Sequence, residues 1–285
     1  MMLEVSTAAQ LRQTLDGWRA HGEHIALVPT MGNLHEGHLQ LVDRARERAD
    51  RVVVSLFVNP TQFGPGEDLD NYPRTLDDDR AALAARGADL LFVPDEASIY
   101  PHGRKACVVS VPGLSDMLCG ASRPGHFDGV ATVVSKLLNL VAPDVAVFGE
   151  KDYQQLMIIR HMVADLFMPM TIEGVPTCRE TDGLAMSSRN RYLSKDERRR
   201  APALYQALQR VARALEAGRT DYDTLAGEAR KFLSEKGLEP DYVEIRRSEN
   251  LATPTPSDRA LVVLAAARLG KARLIDNLRV SLETA

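Results

Sequence analysis

The chain has 285 residues, of which 45% are hydrophobic and 26% are charged, a composition typical of an ordinary globular protein with room for two modest domains. Its formal net charge of −4 gives no basic surface of the kind that proteins coating nucleic acid need, so we expect no nucleic-acid partner. Three cysteines without Cys-x-x-Cys spacing, an N-terminus unlike a signal peptide and the absence of long apolar runs predict a cytoplasmic protein with reduced thiols and no membrane partner.

The first half of the chain alternates between strand-like and helix-like patterns. The predicted strands are His24–Val28, Val52–Val58, Asp89–Val93 and Asp144–Phe148, and the predicted helices are His38–Arg46, Leu76–Arg86, Val130–Val141 and Tyr153–Phe167. This alternation predicts an α/β fold with a Rossmann-like, doubly wound parallel sheet. Ligands of such a sheet bind at the carboxyl ends of the strands.

The pattern changes after about Pro176. Helical patterns follow over Lys195–Ala217 and Tyr222–Lys236, and short strands are predicted over Tyr242–Arg246, Ala260–Ala267 and Arg273–Ile275. We therefore predict a nucleotide- and substrate-binding domain over residues 1–176. A second, smaller α+β domain with an antiparallel sheet is predicted over residues 177–285.

Residues 29–38, Pro-Thr-Met-Gly-Asn-Leu-His-Glu-Gly-His, connect the predicted strand His24–Val28 to the predicted helix His38–Arg46. A helix that begins at a tight glycine-bearing turn presents free N–H groups and the positive end of its dipole to an anion. His35 and His38 add two movable donors, so the segment predicts a cradle for a polyphosphate. His-x-Gly-His after a strand is typical of nucleotidyl-transferring Rossmann-like enzymes. Two alternatives stay open: a metal site, although zinc needs a third ligand and His-Glu-x-x-His is absent, or two incidental turn histidines.

Two other loops carry polar groups that could bind a substrate. Asn59 and Gln62 follow the second strand and could hydrogen-bond a small polar molecule, although a polar turn before Pro-Gly explains them equally well. Arg123 and His126 lie in a glycine-bearing loop before a helix and could bind an anion, because a guanidinium group matches carboxylate and phosphate geometry. The alternative there is an ordinary loop with Asp128 as the helix N-cap.

A second strand-to-helix junction, Phe148–Gln155, carries Lys151. The helix dipole disfavours a cation at this end unless an anion is present, so Lys151 predicts phosphate binding. Asp152 could hold a ribose hydroxyl, and Gln155, one turn later, would face the same cleft. The alternative is a helix capped by Asp152 with a solvated lysine.

Two further segments give weaker indications. Ser187–Arg189 offers two hydroxyls and a guanidinium to a triphosphate, although serines are common in turns. Asp77–Asp79 could bind Mg²⁺, but acidic residues at a helix start are favoured by capping and by the dipole, which we take as the better explanation.

Six segments, taken in order, closely resemble the pantothenate synthetase family, the pantoate–β-alanine ligases. These segments are residues 29–38, 57–63, 72–79, 123–127, 148–156 and 184–190, and Ala-Arg-Leu-Ile-Asp-Asn at 272–277 extends the resemblance into the tail. The resemblance implies a homodimer whose Rossmann-like domain carries a smaller C-terminal lid. It also implies that ATP, Mg²⁺, pantoate and β-alanine are the ligands. The pantoate carboxylate would attack the α-phosphorus to give pantoyl adenylate and pyrophosphate, and the β-alanine amine would then displace AMP.

The same resemblance implies roles for individual residues. The residues expected to stabilise charge on the phosphates are His35, His38, Lys151, Ser187, Ser188 and Arg189, with His38 as proton donor. The other residues expected at ATP are Met31, Gly32, Asn33, Leu34, Glu36, Gly37, Gly149, Glu150, Asp152, Cys178 and Met186. Cys178 departs from the family pattern, which has an aliphatic residue whose backbone touches adenine.

Pantoate is expected at Gln62 and Gln155, with Gln62 also near β-alanine. Asn59, Arg123 and His126 are further candidates for substrate binding, and Asp78 is the candidate Mg²⁺ ligand. Three rival functions remain at this stage: another nucleotidyltransferase, an aminoacyl-tRNA synthetase, and a nucleotide-sensing module without turnover. Other nucleotidyltransferases lack the 57–63 and 123–127 segments in this order, and an aminoacyl-tRNA synthetase needs a basic face for tRNA. A nucleotide-sensing module does not need a pocket for two substrates.

Overall fold

A computed structural model describes residues 1–282, and the chain divides into two compact units. The first unit comprises Met1–Glu150 and Ile158–Pro176, and the second comprises Lys151–Met157 and the chain from Thr177 onward. The sequence-based division differs at residues 151–157, which it placed in the first domain. Side chains far along the chain hold this segment in the second unit, and no local pattern predicts them. Within residues 1–282 no helix combines the length and apolar character needed to cross a membrane.

The first unit is built on a six-stranded sheet in which every pairing is parallel, with the order β1-β4-β3-β2-β5-β6. Its strands are β1 Leu3–Val5, β2 Ile25–Thr30, β3 Arg51–Leu56, β4 Leu90–Phe92, β5 Val145–Gly149 and β6 Thr171–Val175. Its helices are α1 Ala8–Ala20, α2 Glu36–Arg48, α3 Leu76–Ala85, α4 Glu96–Ile99, α5 Cys119–Ser122 and α6 His126–Val141. Helix α7, Tyr153–Asp165, begins in the segment assigned to the second unit. The predicted α/β fold with a doubly wound parallel sheet is confirmed.

Burial on both faces explains why the central strands are apolar throughout. Val52, Val53 and Val54 of β3 are at most 1% exposed, as expected for a parallel strand covered by helices on both sides. Strands β2 and β3 run in register from Ile25 opposite Arg51 to Thr30 opposite Leu56. The strand order reverses between β2 and β5, and a doubly wound sheet binds ligands at such a switch point. The segments that leave β2 and β5 therefore lie at this switch point.

The second unit contains a three-stranded antiparallel sheet, which confirms the predicted second α+β part. Its strands are β7 Glu239–Arg247, β8 Ala260–Leu269 and β9 Ala272–Ser281, and its helices are α8 Lys195–Arg200, α9 Ala203–Glu216 and α10 Tyr222–Glu235. Helix α9 buries Leu204, Ala207, Leu208 and Val211, the three-and-four spacing of one helix face, in a core shared with the sheet.

Several elements differ from the sequence-based expectation. The predicted helix over 195–217 is two helices, because Pro202 has no N–H to continue the first one and instead precedes α9 as its N-cap. Strand β1, helix α1 and strand β6 were not predicted. For α1 a signal was available, since Thr7 and Gln10 form a capping box. Strand β9 extends beyond the predicted Arg273–Ile275 at both ends.

Candidate active site

The turn after β2 has a conformation that glycine and asparagine adopt most readily. Gly32 and Asn33 both have positive φ angles, 81° and 52°. A Cβ on Gly32 would lie 3.1 Å from an oxygen of Asp79 and 3.1 Å from Leu56, so the position also lacks room for a larger residue. The turn therefore leads into α2 along a tightly restricted path.

Asp79 of helix α3 stabilises this turn by hydrogen bonds to its backbone. Its carboxylate, 2% exposed, accepts hydrogen bonds from the backbone N–H groups of Asn33 and Leu34, both at 2.8 Å. The Thr75 hydroxyl donates to the same carboxylate at 3.2 Å. Asp79 was interpreted from the sequence as a residue favouring the start of α3. Asp79 does lie in the first turn of α3, and its side chain also fixes a turn 46 residues earlier, which the sequence pattern did not indicate.

His35 and His38 lie at the mouth of α2 with their rings adjacent and tilted relative to each other. The ring centroids are 4.1 Å apart and the planes are inclined by 30°. His35 is the N-cap residue of α2, and its backbone N–H donates to Nδ1 of His38 at 3.3 Å. Because a backbone N–H can only donate, Nδ1 of His38 carries a lone pair, and the neutral ring carries its proton on Nε2. His38 is thereby set as a hydrogen-bond donor through Nε2.

The charge of Glu36 in the first turn of α2 is balanced within the protein. Its carboxylate forms an ion pair with Arg86, which also pairs with Asp43 at 2.5 Å. Arg86 therefore neutralises the Glu36 carboxylate, so Glu36 does not repel an anionic ligand at the start of α2. A contact of Glu36 or Gly37 with a nucleotide would run through the backbone.

Gln62 ends a 3₁₀ turn, Pro60–Gln62, that follows β3. Its Nε2 lies 3.0 Å from the sulfur of Met31, and its Oε1 accepts a hydrogen bond from Nδ2 of Asn59 at 3.0 Å. Met31, which was predicted at ATP, and Gln62, which was predicted at pantoate, are therefore adjacent. The carboxamide of Gln62 is held in a defined position at the end of the parallel sheet.

Asn59 is 1% exposed, and its polar atoms are bonded within the protein. Nδ2 donates to Gln62 and to the Gly129 carbonyl at 3.2 Å, while Oδ1 accepts from the hydroxyls of Thr61 (3.0 Å) and Tyr100 (2.7 Å). With this capacity already used, Asn59 orients Gln62 and offers little to a substrate directly. The sequence-based interpretation of Asn59 as a direct substrate ligand thus does not match its surroundings.

Arg123 and His126 also form contacts within the protein. Arg123 forms a two-point ion pair with Glu67, both bonds at 2.6 Å, and its Nη1 lies 2.9 Å from Nε2 of His126. His126 Nδ1 lies 2.7 Å from the Gln62 carbonyl. Since the guanidinium only donates, Nε2 of His126 accepts and Nδ1 donates, which fixes a neutral ring. The predicted anion site at Arg123 is thus occupied by the protein's own carboxylate.

Burial alone would raise the pKa of Glu67, but the hydrogen bonds and charge of Arg123 outweigh it and lower the pKa to about 2. The pair therefore stays ionised at neutral pH and anchors the loop that follows Gln62. Gly125 precedes helix α6 as its N-cap, so the alternative in which Asp128 caps this helix does not hold.

In the second unit, Lys151 lies in a 3₁₀ turn, Glu150–Asp152, that runs directly into α7. Its side chain is 19% exposed, and its ammonium nitrogen lies 3.5 Å from a carboxylate oxygen of Asp152. Asn277 donates to the Lys151 carbonyl at 2.9 Å, and the buried Tyr153 hydroxyl donates to the Ser248 carbonyl at 2.7 Å. Gln155 follows in the first turn of α7 and is partly exposed.

Cys178 and Met186 belong to two short antiparallel arms joined by a turn at Gly183. The Met186 N–H donates to the Cys178 carbonyl at 2.9 Å, and their sulfur atoms are 3.5 Å apart. Ser187 then caps a 3₁₀ helix, Ser188–Tyr192, by accepting from the Arg189 N–H at 3.3 Å. The side chains of Ser187, Ser188 and Arg189 are partly exposed.

Three acidic residues at the start of α3 have separate surroundings. Asp77 pairs with Arg80 at 2.6 Å although its side chain is 95% exposed, Asp79 bonds to backbone amides, and Asp78 is also exposed. Among residues 1–282 no group of three or more His, Cys, Asp or Glu side chains could hold a metal ion. A single carboxylate suits Mg²⁺ that is held mainly by phosphates and water.

Sequence reasoning missed three supporting residues of this site: Asp79, Glu67 and Gly129. A Cβ on Gly129 of α6 would lie 2.3 Å from the Thr61 carbonyl oxygen, so glycine lets the Gln62 turn approach the helix. The sequence shows that Asp79 is a polar residue in the first turn of a predicted helix and that Gly129 is a glycine beside one. It does not show which residues they contact.

The parallel sheet and its histidine-bearing strand-to-helix turn define the class of Rossmann-like α/β proteins that bind nucleotides at a switch point. A sequence model described as Pantoate-beta-alanine ligase matches residues 4–279. The chain belongs to the pantoate–β-alanine ligase family.

Relatives match along almost the whole chain. A pantothenate synthetase of Methylococcus capsulatus is 58% identical over 281 residues, covering 98% of each chain. A pantothenate synthetase of Thioalkalivibrio sulfidiphilus is 59% identical over 282 residues, covering 99% of each.

Solved structures agree with the sequence comparison. The pantothenate synthetase of Thermus thermophilus superposes with a TM-score of 0.88 at 48% identity, covering 97% of this chain and 99% of that one. A pantoate-beta-alanine ligase of Francisella tularensis, complexed with beta-gamma ATP and beta-alanine, gives a TM-score of 0.83 at 34% identity, covering 98% and 97%.

Proposed function

We propose that the protein condenses pantoate with β-alanine at the expense of ATP and forms pantothenate, AMP and pyrophosphate through a pantoyl-adenylate intermediate. The observation that carries this proposal is the end-to-end similarity to pantothenate synthetases. The Francisella ligase, solved with beta-gamma ATP and beta-alanine, supports both as ligands here.

In the first step a carboxylate oxygen of pantoate attacks the α-phosphorus, and the bond from that phosphorus to the bridging oxygen of pyrophosphate breaks. Negative charge grows on the phosphate oxygens, so preorganised donors lower the barrier. In the first unit these donors are the N–H groups at the start of α2 and the Nε2–H of His38, with His35 beside it. The family resemblance assigns the same task in the second unit to Lys151, Ser187, Ser188 and Arg189.

Pantoate is bound by the carboxamides of Gln62 and Gln155 in this scheme. Asn59, Arg123 and His126 act as positioning residues, because each is bonded to Gln62 or to a partner of Gln62. In the second step the β-alanine amine attacks the acyl carbon, the bond from that carbon to the AMP oxygen breaks, and the amine loses a proton. No protein nucleophile is required.

Nucleotide contacts follow the family pattern in both units. We assign them to the backbone from Met31 to His38, to Gly149–Asp152, and to Cys178 and Met186. For Cys178 the carbonyl is already bonded to Met186, so the proposed adenine contact uses the remaining main-chain atoms.

Mg²⁺ is proposed to accompany ATP and to neutralise phosphate charge, with Asp78 as the candidate carboxylate.

A dimer is proposed because Leu166 and Phe167, 54% and 92% exposed, adjoin the edge strand β6, and such apolar patches commonly mark protein contacts. Sedimentation velocity tests the dimer, and a monomer at micromolar concentration would count against it.

A cytoplasmic location is proposed because Cys107, Cys119 and Cys178 are all free thiols; finding the protein in an oxidising compartment would overturn it.

The decisive experiment is isotope exchange. With pantoate, ATP and Mg²⁺ but no β-alanine, the enzyme should exchange labelled pyrophosphate into ATP, because reversal of the first step alone produces that exchange. A γ-phosphorylating ligase would release ADP and show none. A nucleotide-sensing module would also show none, and another adenylyltransferase would need a different acceptor. A folded, ATP-binding preparation without pantoate-dependent exchange would refute the adenylate mechanism.

A further inference from the structure

The C-terminal strand β9 carries two buried polar residues, Asp276 and Asn277, that have no role in the mechanism above. They are 4% and 6% exposed in a strand that otherwise contributes to an apolar core. Both belong to the 272–277 segment that resembles the family. Burying polar groups costs free energy unless their bonds are satisfied, so the partners of these two residues are informative.

Asp276 holds Arg179, the residue next to Cys178. The guanidinium makes two bonds to the carboxylate, at 2.6 and 2.9 Å, and its plane lies over the ring of Tyr205 at 3.7 Å from the centroid. Arg179 also donates to the Gly183 carbonyl at 3.1 Å, in the turn between the two arms. Asp276 thus fixes, through Arg179, the arms that carry Cys178 and Met186.

Asn277 holds the other nucleotide segment of the second unit. Its Nδ2 donates to the Lys151 carbonyl at 2.9 Å, and its own carbonyl accepts from Arg179 at 3.3 Å. Two adjacent residues of one strand are therefore bonded to the Lys151 turn and to the Cys178 arms. Both of these segments are expected at ATP.

A stability argument alone does not account for the ion pair. A buried ion pair is commonly no more stabilising than apolar residues of the same volume, because both charges lose their hydration. Its specific effect is to define geometry. Burial raises the pKa of Asp276, and the hydrogen bonds and charge of Arg179 act in the opposite direction.

We propose that Asp276 and Asn277 are positioning residues of the nucleotide site. Asn277 sets the backbone that carries Lys151, and Asp276 sets the arms that lead to Ser187–Arg189. This inference rests on the proposed function and deepens it, since it names what aligns the phosphate-binding residues of the second unit.

The test uses Asn277→Ala and Asp276→Asn in the full chain, with two matched controls from the same unit. Asn250→Ala removes an asparagine that bonds to the backbone in a turn, and Asp241→Asn removes a carboxylate paired with Arg273 at 2.7 Å. The measurements are pantoate-dependent pyrophosphate exchange, KM for ATP and for β-alanine, and Tm.

Displacing a reacting group by about 1 Å can cost about 100-fold in rate, so kcat/KM for ATP should fall about 10- to 100-fold in both test variants. KM for β-alanine should not change, and the controls should keep wild-type ATP kinetics. Wild-type ATP kinetics in Asn277→Ala would overturn the proposal. So would losses in all four variants that merely follow the folded fraction.

If Asp276→Asn does not fold, Asn277→Ala decides the question alone. If the wild-type protein shows no pantoate-dependent exchange, the proposed function fails. Calorimetric ATP binding then tests the positioning role separately: weaker binding by Asn277→Ala than by Asn250→Ala supports it, and equal binding refutes it.

Discussion

Replacing Gly129 with alanine tests whether the close approach of helix α6 sets the position of Gln62. An added Cβ would lie 2.3 Å from the Thr61 carbonyl oxygen and 2.8 Å from the Gln62 backbone nitrogen. Cβ contacts below 3.0 Å essentially do not occur, so the turn and the helix must separate by at least 0.7 Å. The obstacle is backbone, which cannot rotate away as a side chain could.

Two opposing effects determine the stability of this variant. Alanine favours the helical state over glycine by about 0.5–1 kcal/mol, while overpacking a tight contact costs about 1–3 kcal/mol. The net loss is about 1 kcal/mol, which lowers Tm by about 2–4 °C in a chain of this size. The effect on activity is larger, because the displaced segment carries Gln62, whose misplacement by nearly 1 Å is expected to reduce kcat/KM for pantoate about 10- to 100-fold.

The assay is steady-state kinetics with pantoate varied at saturating ATP and β-alanine, together with thermal unfolding. Gly17→Ala is the matched control, since Gly17 lies in helix α1 of the same unit and has nothing within 4 Å of an added Cβ. We expect that control to keep full activity and to be equally or more stable. Normal pantoate kinetics in a folded Gly129→Ala variant would refute the argument that this contact positions Gln62.

Three other predictions follow from the site. His38→Ala should lower pyrophosphate exchange about 10²- to 10³-fold with little change in Tm, because it removes one preorganised donor, and near-normal exchange would exclude His38 from the mechanism. Lys151→Ala should raise KM for ATP far more than it shifts Tm; a variant that is more stable and equally active would show a merely surface lysine. Glu67→Gln should lower Tm most at neutral pH, because the pKa of Glu67 is about 2 when folded against an ordinary 4.5, so the pairing with Arg123 stabilises fully above about pH 5. That difference in Tm should shrink as the pH falls from 5 towards 2, and a difference independent of pH would contradict the ion-pair argument.

The main features of the first unit could be predicted from local sequence pattern. The run Val52–Val54 and its neighbours indicate strands buried on both faces, and their alternation with helical segments indicates parallel pairing. The turn before α2 was predictable because glycine and two histidines follow a strand directly. In each case the signal lies within about ten residues of the structure it predicts.

The supporting residues could not be predicted in this way. Asp79 bonds to amides 46 and 45 residues earlier, and Arg123 meets a carboxylate 56 residues earlier. Such contacts depend on which strands are neighbours in the folded sheet, and no spacing in the sequence encodes them. Asn59 shows the same limit from the other side: its side chain looks available to a ligand until Tyr100 and Gly129 are placed beside it.

The path of the chain limits how this protein can be dissected. The chain passes from one unit to the other at 150/151, at 157/158 and at 176/177, so the heptapeptide Lys151–Met157 is an insertion of one unit in the sequence of the other. A fragment beginning at Thr177 would lack that heptapeptide, and the Ser248 carbonyl and the Asn277 amide would lose the partners they have in the intact chain. The complementary fragment, ending at Pro176, would retain Tyr153 and Lys151 without the residues to which they bond. A split-protein pair cut at 176/177 can therefore regain native structure only if the heptapeptide docks in trans, which would link fragment reassembly directly to formation of the Lys151 turn.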